Sequence, residues 1–295
     1  MIQYLYLGRV NYDEALRMQA ELVVLRQSEK IGNVLLLLEH PPVLTLGRNA
    51  SRANVLASDE QLARRGVTIH EIDRGGDVTY HGPGQLIGYP IFDLRSLRNA
   101  KGARLGPVDF VRRMEEALIA LCGTYGVSAG SICGLTGVWC AAAGTTLDGC
   151  TVKPGGSPPP GARKICSIGI HVARGVTSHG FAFNVTTDLA DFNLINPCGI
   201  TGCRMTTLEC EVDREAGRRA EPLPALEIAH EAARKFGEVF RVPLEEAESL
   251  AALRRAPAEE EPAQPVFPAQ DTPLQIPPEV ERLRYGRDKN RPVRA

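Results

Sequence analysis

Apolar and polar positions divide most of this chain into short strands and three amphipathic helices. Residues 2–7 alternate in the manner of a strand. Asn11 then opens a helix, with Glu14 in capping-box position and Leu16, Met18, Leu22, Val23 and Leu25 roughly on one face. Residues 34–38 form a continuous apolar run, the pattern of a strand covered on both faces. His40-Pro41-Pro42 ends that run, and residues 43–46 resume extended structure. Residues 67–72 and 86–92 read as strands on either side of a polar, glycine-rich block. Residues 108–125 carry Phe110, Val111, Met114, Ala117, Leu118 and Leu121 at helical spacing. Two strands, 164–172 and 178–185, flank a turn at Arg174-Gly175, and a further helix spans 225–240. Strands and helices alternate without strict βαβ order, which predicts an α+β (mixed α/β) fold, a mixed sheet with helices packed on it.

Two stretches break the pattern. Residues 141–163, with Pro158-Pro159-Pro160-Gly161, cannot build a regular core element and read as an exposed insertion between strands. From residue 256 onward eight prolines fall within forty residues, with three glutamates early and six Arg or Lys late. That composition predicts a flexible tail over 256–295, following a single domain over 1–245.

Composition narrows the function classes. The 295 residues carry a net charge of −1 and only 5% aromatic side chains, so neither a basic field nor a stacking platform for nucleic acid is expected. The N-terminus lacks a basic segment followed by a long apolar one, and the longest apolar run is far too short to span a bilayer. A soluble cytoplasmic protein is expected, with no membrane partner. The eight cysteines include no Cys-x-x-Cys pair; Cys198-x4-Cys203 has no second pair to complete a zinc site, so no metal is expected. In a reducing compartment most of these thiols should be buried as small hydrophobes.

The block from Arg74 to Pro90 holds five glycines and two prolines among an arginine, an aspartate, a threonine, two tyrosines, a histidine and a glutamine. A stiff loop of this kind between apolar runs suits a substrate cradle, although good hairpin chemistry would explain the glycines alone. Asn196-Pro197-Cys198-Gly199 is a second candidate, because Pro197 and Gly199 set Cys198 at a sharp bend. A thiol there needs a nearby cation to become a useful nucleophile at neutral pH. Lys164, at the start of an apolar strand, can supply it, or it can be a solvated strand end with a snorkelling stem. Ideal alternation puts Lys164 and Cys166 on one face and Ser167 on the other, which leaves Cys166 open as a second nucleophile. His40 and His70 border buried strands and read as structural, and His230 has no evident partner. His81 and His179 are better placed to meet a substrate, and a Cys–His couple stays open.

Six blocks in order resemble the lipoyl(octanoyl) transferases. They are Glu39-His40-Pro41-Pro42 with Thr45-Leu46-Gly47-Arg48, the Arg74–Gln85 stretch, Gly134-Leu135-Thr136-Gly137-Val138-Trp139, residues 164–169, residues 179–185, and Asn196-Pro197-Cys198-Gly199. The likeness runs to about Thr207; residues beyond 255 lie outside it, and the 141–163 stretch is longer than the connection the family has there. The resemblance implies the fold of lipoate ligases and the catalytic domain of biotin ligases. It implies octanoyl transfer, in protein lipoylation, from octanoyl-acyl carrier protein to a lysine of lipoyl domains of 2-oxoacid dehydrogenase complexes or of glycine cleavage H protein, without a cofactor. Cys198 would carry the acyl thioester and Lys164 would lower its pKa and move protons. Arg74, Gly75, Gly76, Asp77, Val78, Thr79, Tyr80, His81, Ser167, Ile168, Gly169, Gly180, Phe181 and Ala182 would bind substrate. Backbone N–H groups near Gly76 or at 167–169 could hold the oxyanion. The rival readings are an ATP-dependent lipoate–protein ligase on the same fold and a catalytically silent acyl- or lipoyl-domain-binding protein.

Overall fold

The computed structural model describes residues 1–99, 102–141, 147, 151–153, 156–200, 202–216 and 223–255, without the side chains of Cys198 and Ala216. The expected tail, 256–295, therefore lies outside the described residues, as does part of the 141–163 stretch.

In chain order the first elements are β1 (Ile2–Arg9), α1 (Tyr12–Gln27), β2 (Asn33–Glu39), β3 (Val43–Leu46), α2 (Asp59–Arg64) and β4 (Thr68–Glu71). Next come β5 (Val78–His81), β6 (Gln85–Ile91), α3 (Pro107–Thr124), β7 (Ala129–Ile132) and β8 (Leu135–Cys140). Then β9 (Arg163–Ala173) and β10 (Val176–Asn184) form a long hairpin, followed by a 3-10 turn at Pro197–Gly199 and β11 (Arg204–Met205). The last are α4 (Leu208–Ala216), α5 (Ala225–Phe240), β12 (Leu244–Glu246) and α6 (Leu250–Leu253).

The main sheet runs β12-β1-β2-β6-β10-β9-β8-β7, with β11 added beside β9. β1 is parallel to β2 and β12, whereas the strands from β2 through β6, β10, β9 and β8 to β7 pair antiparallel, so the sheet is mixed as expected. β2 shows why an unbroken apolar run can be a strand. Leu35 and Leu37 face a core shared with α3 and α5, where Phe110, Phe236 and Phe240 pack, while Val34, Leu36 and Leu38 face Ala15 and Leu22 of α1. Both faces are dry, so alternation has nothing to report.

A second, three-stranded sheet, β4-β3-β5, corrects the reading of the glycine-rich block as a loop between strands 67–72 and 86–92. Residues 78–81 are a strand that pairs antiparallel with β3, Val43 opposite His81 and Leu46 opposite Val78. Valine, threonine and tyrosine favour the extended backbone, and the flanking glycines confine the strand to four residues.

α1 departs from its expected face. Its buried side chains are Tyr12, Ala15, Gln19, Leu22 and Arg26, while Leu16, Met18, Val23 and Leu25 are half-buried. The polar members are held in place: Arg26 Nε donates to Asn33 Oδ1 at 3.0 Å, and Gln19 Oε1 accepts from the His179 backbone N–H at 2.8 Å. The capping box is absent; Asn11 caps α1 through its carbonyl, which accepts from Ala15 N–H, and its side chain makes no cap bond.

Cysteine burial also differs from expectation. Cys122, Cys140 and Cys166 are buried, but Cys133 and Cys210 are exposed and Cys203 is intermediate. Cys133 sits in the β7–β8 turn and Cys210 on the short α4. Burial pushes the Cys140 thiol up to about 12 and Cys122 well above its ordinary range.

Among the described residues no helix is long and apolar enough to cross a membrane.

Candidate active site

The β9–β10 hairpin brings two separated runs together. Its register places Gly169 opposite Gly180, Ile168 opposite Phe181 and Ser167 opposite Ala182. Arg174 and Gly175, both at positive φ (53° and 86°), turn the chain so that this register follows. β5 of the small sheet closes over the hairpin, and Gly75 N–H donates to Ile170 O at 2.9 Å to tie the block to β9. Between them lies a cavity of about 270 Å³.

Twelve of the fourteen residues expected to bind substrate line this cavity; Gly75 and Tyr80 do not. On a strand Thr79 and His81 share one face and Tyr80 takes the other. The Tyr80 hydroxyl donates to Asp191 Oδ2 at 2.5 Å, and its ring packs on Phe192 at 5.6 Å. Tyr80 therefore anchors the small sheet. Arg74 lines the cavity with its guanidinium held by Thr45: Nη2 donates to the Thr45 carbonyl and to Oγ1, each at 2.8 Å.

Lys164 is no solvated strand end. It is 1% exposed, lines the cavity, and lays Nζ 5.2 Å from the Trp139 ring centroid. The burial is complete, in a central strand, with the amine beside the aromatic ring of Trp139. Cys166 does not share its position. β9 and β8 change register between Val138, opposite Cys166, and Trp139, opposite Lys164. That bulge breaks the alternation, and Cys166 turns into the main core at 0% exposure, off the cavity.

The cysteine turn is built from a chain of hydrogen bonds. Asn196 N–H donates to Asn54 O at 2.7 Å, and Gly199 N–H returns to Asn196 O at 3.0 Å. Asn54 Nδ2 donates to Asp77 Oδ2 at 2.6 Å. Gly199 stands at φ 66°, and a Cβ there would lie 2.5 Å from Asp77 Oδ2. Gly199 and Ile200 line the same cavity as Lys164, which sets the backbone of the Cys198 turn at its wall; the side chain of Cys198 lies outside the described residues. Gly199→Ala should therefore displace the turn, at a strain cost of about 1–3 kcal/mol. We expect Tm to fall by several degrees and the alkylation rate of Cys198 to change more than stability alone explains, read by thermal melts and peptide mass spectrometry.

His81 and His179, the two histidines expected to be near a substrate, line the cavity, and His40 lies beside His81. His40, read as structural, is fully buried; its Nδ1 donates to Val10 O at 2.7 Å, which leaves Nε2 to accept from Tyr89 Oη at 2.7 Å. His81 Nδ1 donates to Gln85 Oε1 at 2.9 Å, because Gln85 Nε2 is donating to Asn184 Oδ1, and Nε2 is left as an acceptor 3.5 Å from Thr45 Oγ1. Burial brings His40 down to about 4 and His81 to about 3, so both are neutral imidazoles at physiological pH. Tyr89, from the glycine-rich block, and Tyr12, from the first turn of α1, also line the cavity, and no motif pointed to Tyr12. His179, at φ 54°, meets Asp73 Oδ1 through Nε2 at 2.8 Å; burial nevertheless lowers its pKa. His230 does have partners, Tyr4 Oη at 3.4 Å and Glu246 at 3.6 Å.

Behind Lys164 a buried carboxylate fixes β9. Glu211 receives Arg163 through Nε at 2.8 Å and Nη2 at 2.9 Å, and Thr206 Oγ1 at 2.6 Å. Burial raises the Glu211 pKa, but these bonds and that of Arg214 outweigh it and bring it down to about 2. A folded-state pKa below the ordinary 4.5 means the stabilisation is complete above pH 4.5 and is lost as pH falls towards 2. Glu211→Ala should cost about 3 kcal/mol near neutral pH. The gap in Tm between variant and wild type should narrow through that acid window; an unchanged gap would contradict it.

Among the described residues no cluster of His, Cys, Asp and Glu could hold a metal ion.

Comparison with known proteins agrees with this geometry. Residues 11–221 match the model of the lipoyl protein ligase A/B catalytic domain. An octanoyltransferase of Acidobacterium capsulatum is 55% identical over 241 residues, 81% of this chain and 90% of that one. One from Koribacter versatilis is 44% identical over 283 residues, 96% of this chain and 97% of that one, so likeness to that relative extends into the residues beyond 255. The fold is that of a bi-partite lipoate protein ligase from Thermoplasma acidophilum, with a TM-score of 0.56 over 86% of this chain and 91% of that one at 17% identity. The chain belongs to the lipoyl protein ligase A/B catalytic-domain family and, within it, to the octanoyltransferases.

Proposed function

We propose that this acyltransferase moves an octanoyl group from the thioester of acyl carrier protein onto Cys198, and from Cys198 to a lysine of a lipoyl domain or of glycine cleavage H protein. The observation that carries the reading is the fully buried Lys164 on a cavity whose wall includes Gly199, the neighbour of Cys198. A buried ammonium beside a thiol favours the thiolate.

The two half-reactions balance on that pair. The Cys198 thiolate attacks the donor carbonyl and forms a carbon–sulfur bond; the carrier thiolate leaves and takes a proton from the Lys164 ammonium. The neutral amine of the acceptor lysine then attacks the acyl-cysteine. Lys164 takes the proton that this nitrogen sheds, the amide forms, and Cys198 departs as a thiolate beside a restored ammonium. The first exchange is between like thioesters and the second makes a more stable amide, so no nucleotide is required. Ala182, Tyr12 and Tyr89 offer the acyl chain an apolar wall, while Phe181, stacked on Phe236, and Ile168 send their side chains into the core behind it.

Intact-mass spectrometry after mixing the protein with octanoyl-acyl carrier protein should show one octanoyl group added, discharged on adding a lipoyl domain. Octanoyl-adenylate formed from ATP, Mg²⁺ and free octanoate would support the ligase reading instead. Absence of any adduct or transfer would leave a binding protein.

A further inference from the structure

Gly137 in β8 lies beside the point where β9 bulges, and its backbone stands at φ 127°. A Cβ on it would sit 2.4 Å from the carbonyl oxygen of Cys166, 2.7 Å from Cε of Lys164 and 3.4 Å from its Nζ. The first two distances are well inside van der Waals contact, and the backbone oxygen cannot swing away. The end of the lysine therefore occupies space that any other residue at 137 would fill.

The backbone of Gly137 is itself held. Its N–H donates at 2.9 Å to Oε1 of Glu115, and Oε2 of the same carboxylate accepts from Arg112 Nη1 at 2.6 Å. Glu115 is 1% exposed, in the middle of the apolar face of α3 that packs on the sheet. The transfer chemistry makes no use of it, and burying a carboxylate in such a stripe is expensive unless its bonds secure something. On the far side of the lysine, Trp139 Nε1–H donates to Leu135 O at 3.3 Å, which fixes the ring that Nζ faces.

We infer that Gly137 and Glu115 are positioning residues for Lys164: Glu115 pins the Gly137 backbone, and the missing side chain leaves a slot that aims the lysine at the cavity. The consequence for catalysis rests on the reading that Lys164 acts on Cys198; the placement itself does not.

The test compares Gly137→Ala with wild type and Lys164→Met. Three measurements are made: the pH dependence of Cys198 alkylation, followed at its own peptide by mass spectrometry; the emission of Trp139, the chain's single tryptophan; and the rate of acyl loading from octanoyl-acyl carrier protein. We expect Gly137→Ala to shift both the alkylation profile and the Trp139 emission towards those of Lys164→Met. Loading should fall on the order of 100-fold, as for a misplaced reacting group, with little change in the KM for the donor. A variant that only melts earlier, with profile and emission unmoved, overturns the inference. If Lys164→Met itself leaves the alkylation profile unchanged, the proposed role of the lysine fails, and the emission still decides whether Gly137 sets its place. Should Gly137→Ala not fold, Glu115→Asp takes its turn, since it withdraws the acceptor by about one methylene. It should reproduce the shift, while Glu115→Gln, which keeps an acceptor for the Gly137 N–H, should restore most of the loading rate; equal behaviour of the two overturns the inference.

Discussion

Cys198→Ala is expected to abolish the octanoyl adduct and to lower transfer to a lipoyl domain on the order of 10⁴-fold or more, the scale seen when a covalent nucleophile is removed. Cys166→Ala should leave both intact, because Cys166 is fully buried in the core and off the cavity. The pair of variants separates three readings. Loss in Cys198→Ala alone fits the thioester route. Loss of the adduct in Cys166→Ala alone would move the nucleophile and require the core to open. Transfer that survives both would mean direct attack of the acceptor lysine on the donor thioester, with the cysteine turn serving only to shape the cavity. Binding can be kept apart from chemistry by measuring the affinity of Cys198→Ala for octanoyl-acyl carrier protein, which should be close to wild type. Cys166→Ala removes a buried sulfur from a packed core, so a small loss in Tm without a loss in rate is the expected signature there.

The sequence made some of this legible and hid the rest for physical reasons. Long helices such as 225–240 carry several turns of periodic signal, and α5 falls on Ala225–Phe240. The hairpin register was also within reach, since Arg174-Gly175 marks the turn. β5 was not, because glycines on both sides of Val78–His81 drown a four-residue alternation, and only its pairing with β3 makes it a strand. The separation of Lys164 from Cys166 was hidden for a different reason. A bulge is a property of two strands, and the sequence of one shows only ideal alternation. Glu115 illustrates the limit most clearly. A glutamate on a helix reads as solvent-facing, and its burial makes sense only once Gly137, twenty-two residues on, is seen to need an acceptor. Of the Arg74–Pro90 block, Arg74, Gly76, Asp77, Val78, Thr79, His81 and Tyr89 line the cavity, whereas Gly75 and Tyr80 do not, and Tyr12 reaches it from α1 without any motif to announce it.

Lys164→Met is expected to slow acyl loading of Cys198 by about 10²–10⁴-fold at neutral pH, the usual worth of a positioned proton-transfer group. The methionine keeps the apolar stem against Trp139 and removes the charge, so the site should stay closed and the loss should be electrostatic in origin. The sign of the pH effect follows. A cation favours the thiolate, so its removal raises the cysteine pKa towards ~8.5 or beyond in a dry site. Loading by the variant should therefore climb steeply through pH 8–9, where the wild type is already level, and the deficit should shrink at alkaline pH. The second half-reaction should not recover in the same way, because raising the pH deprotonates the acceptor lysine but does not replace the base that takes its proton. Single-turnover measurements of loading and discharge, each across pH, test both statements. A deficit in loading that is constant from pH 6 to 10 would show that Lys164 does not set the ionisation of Cys198, and would confine it to moving protons.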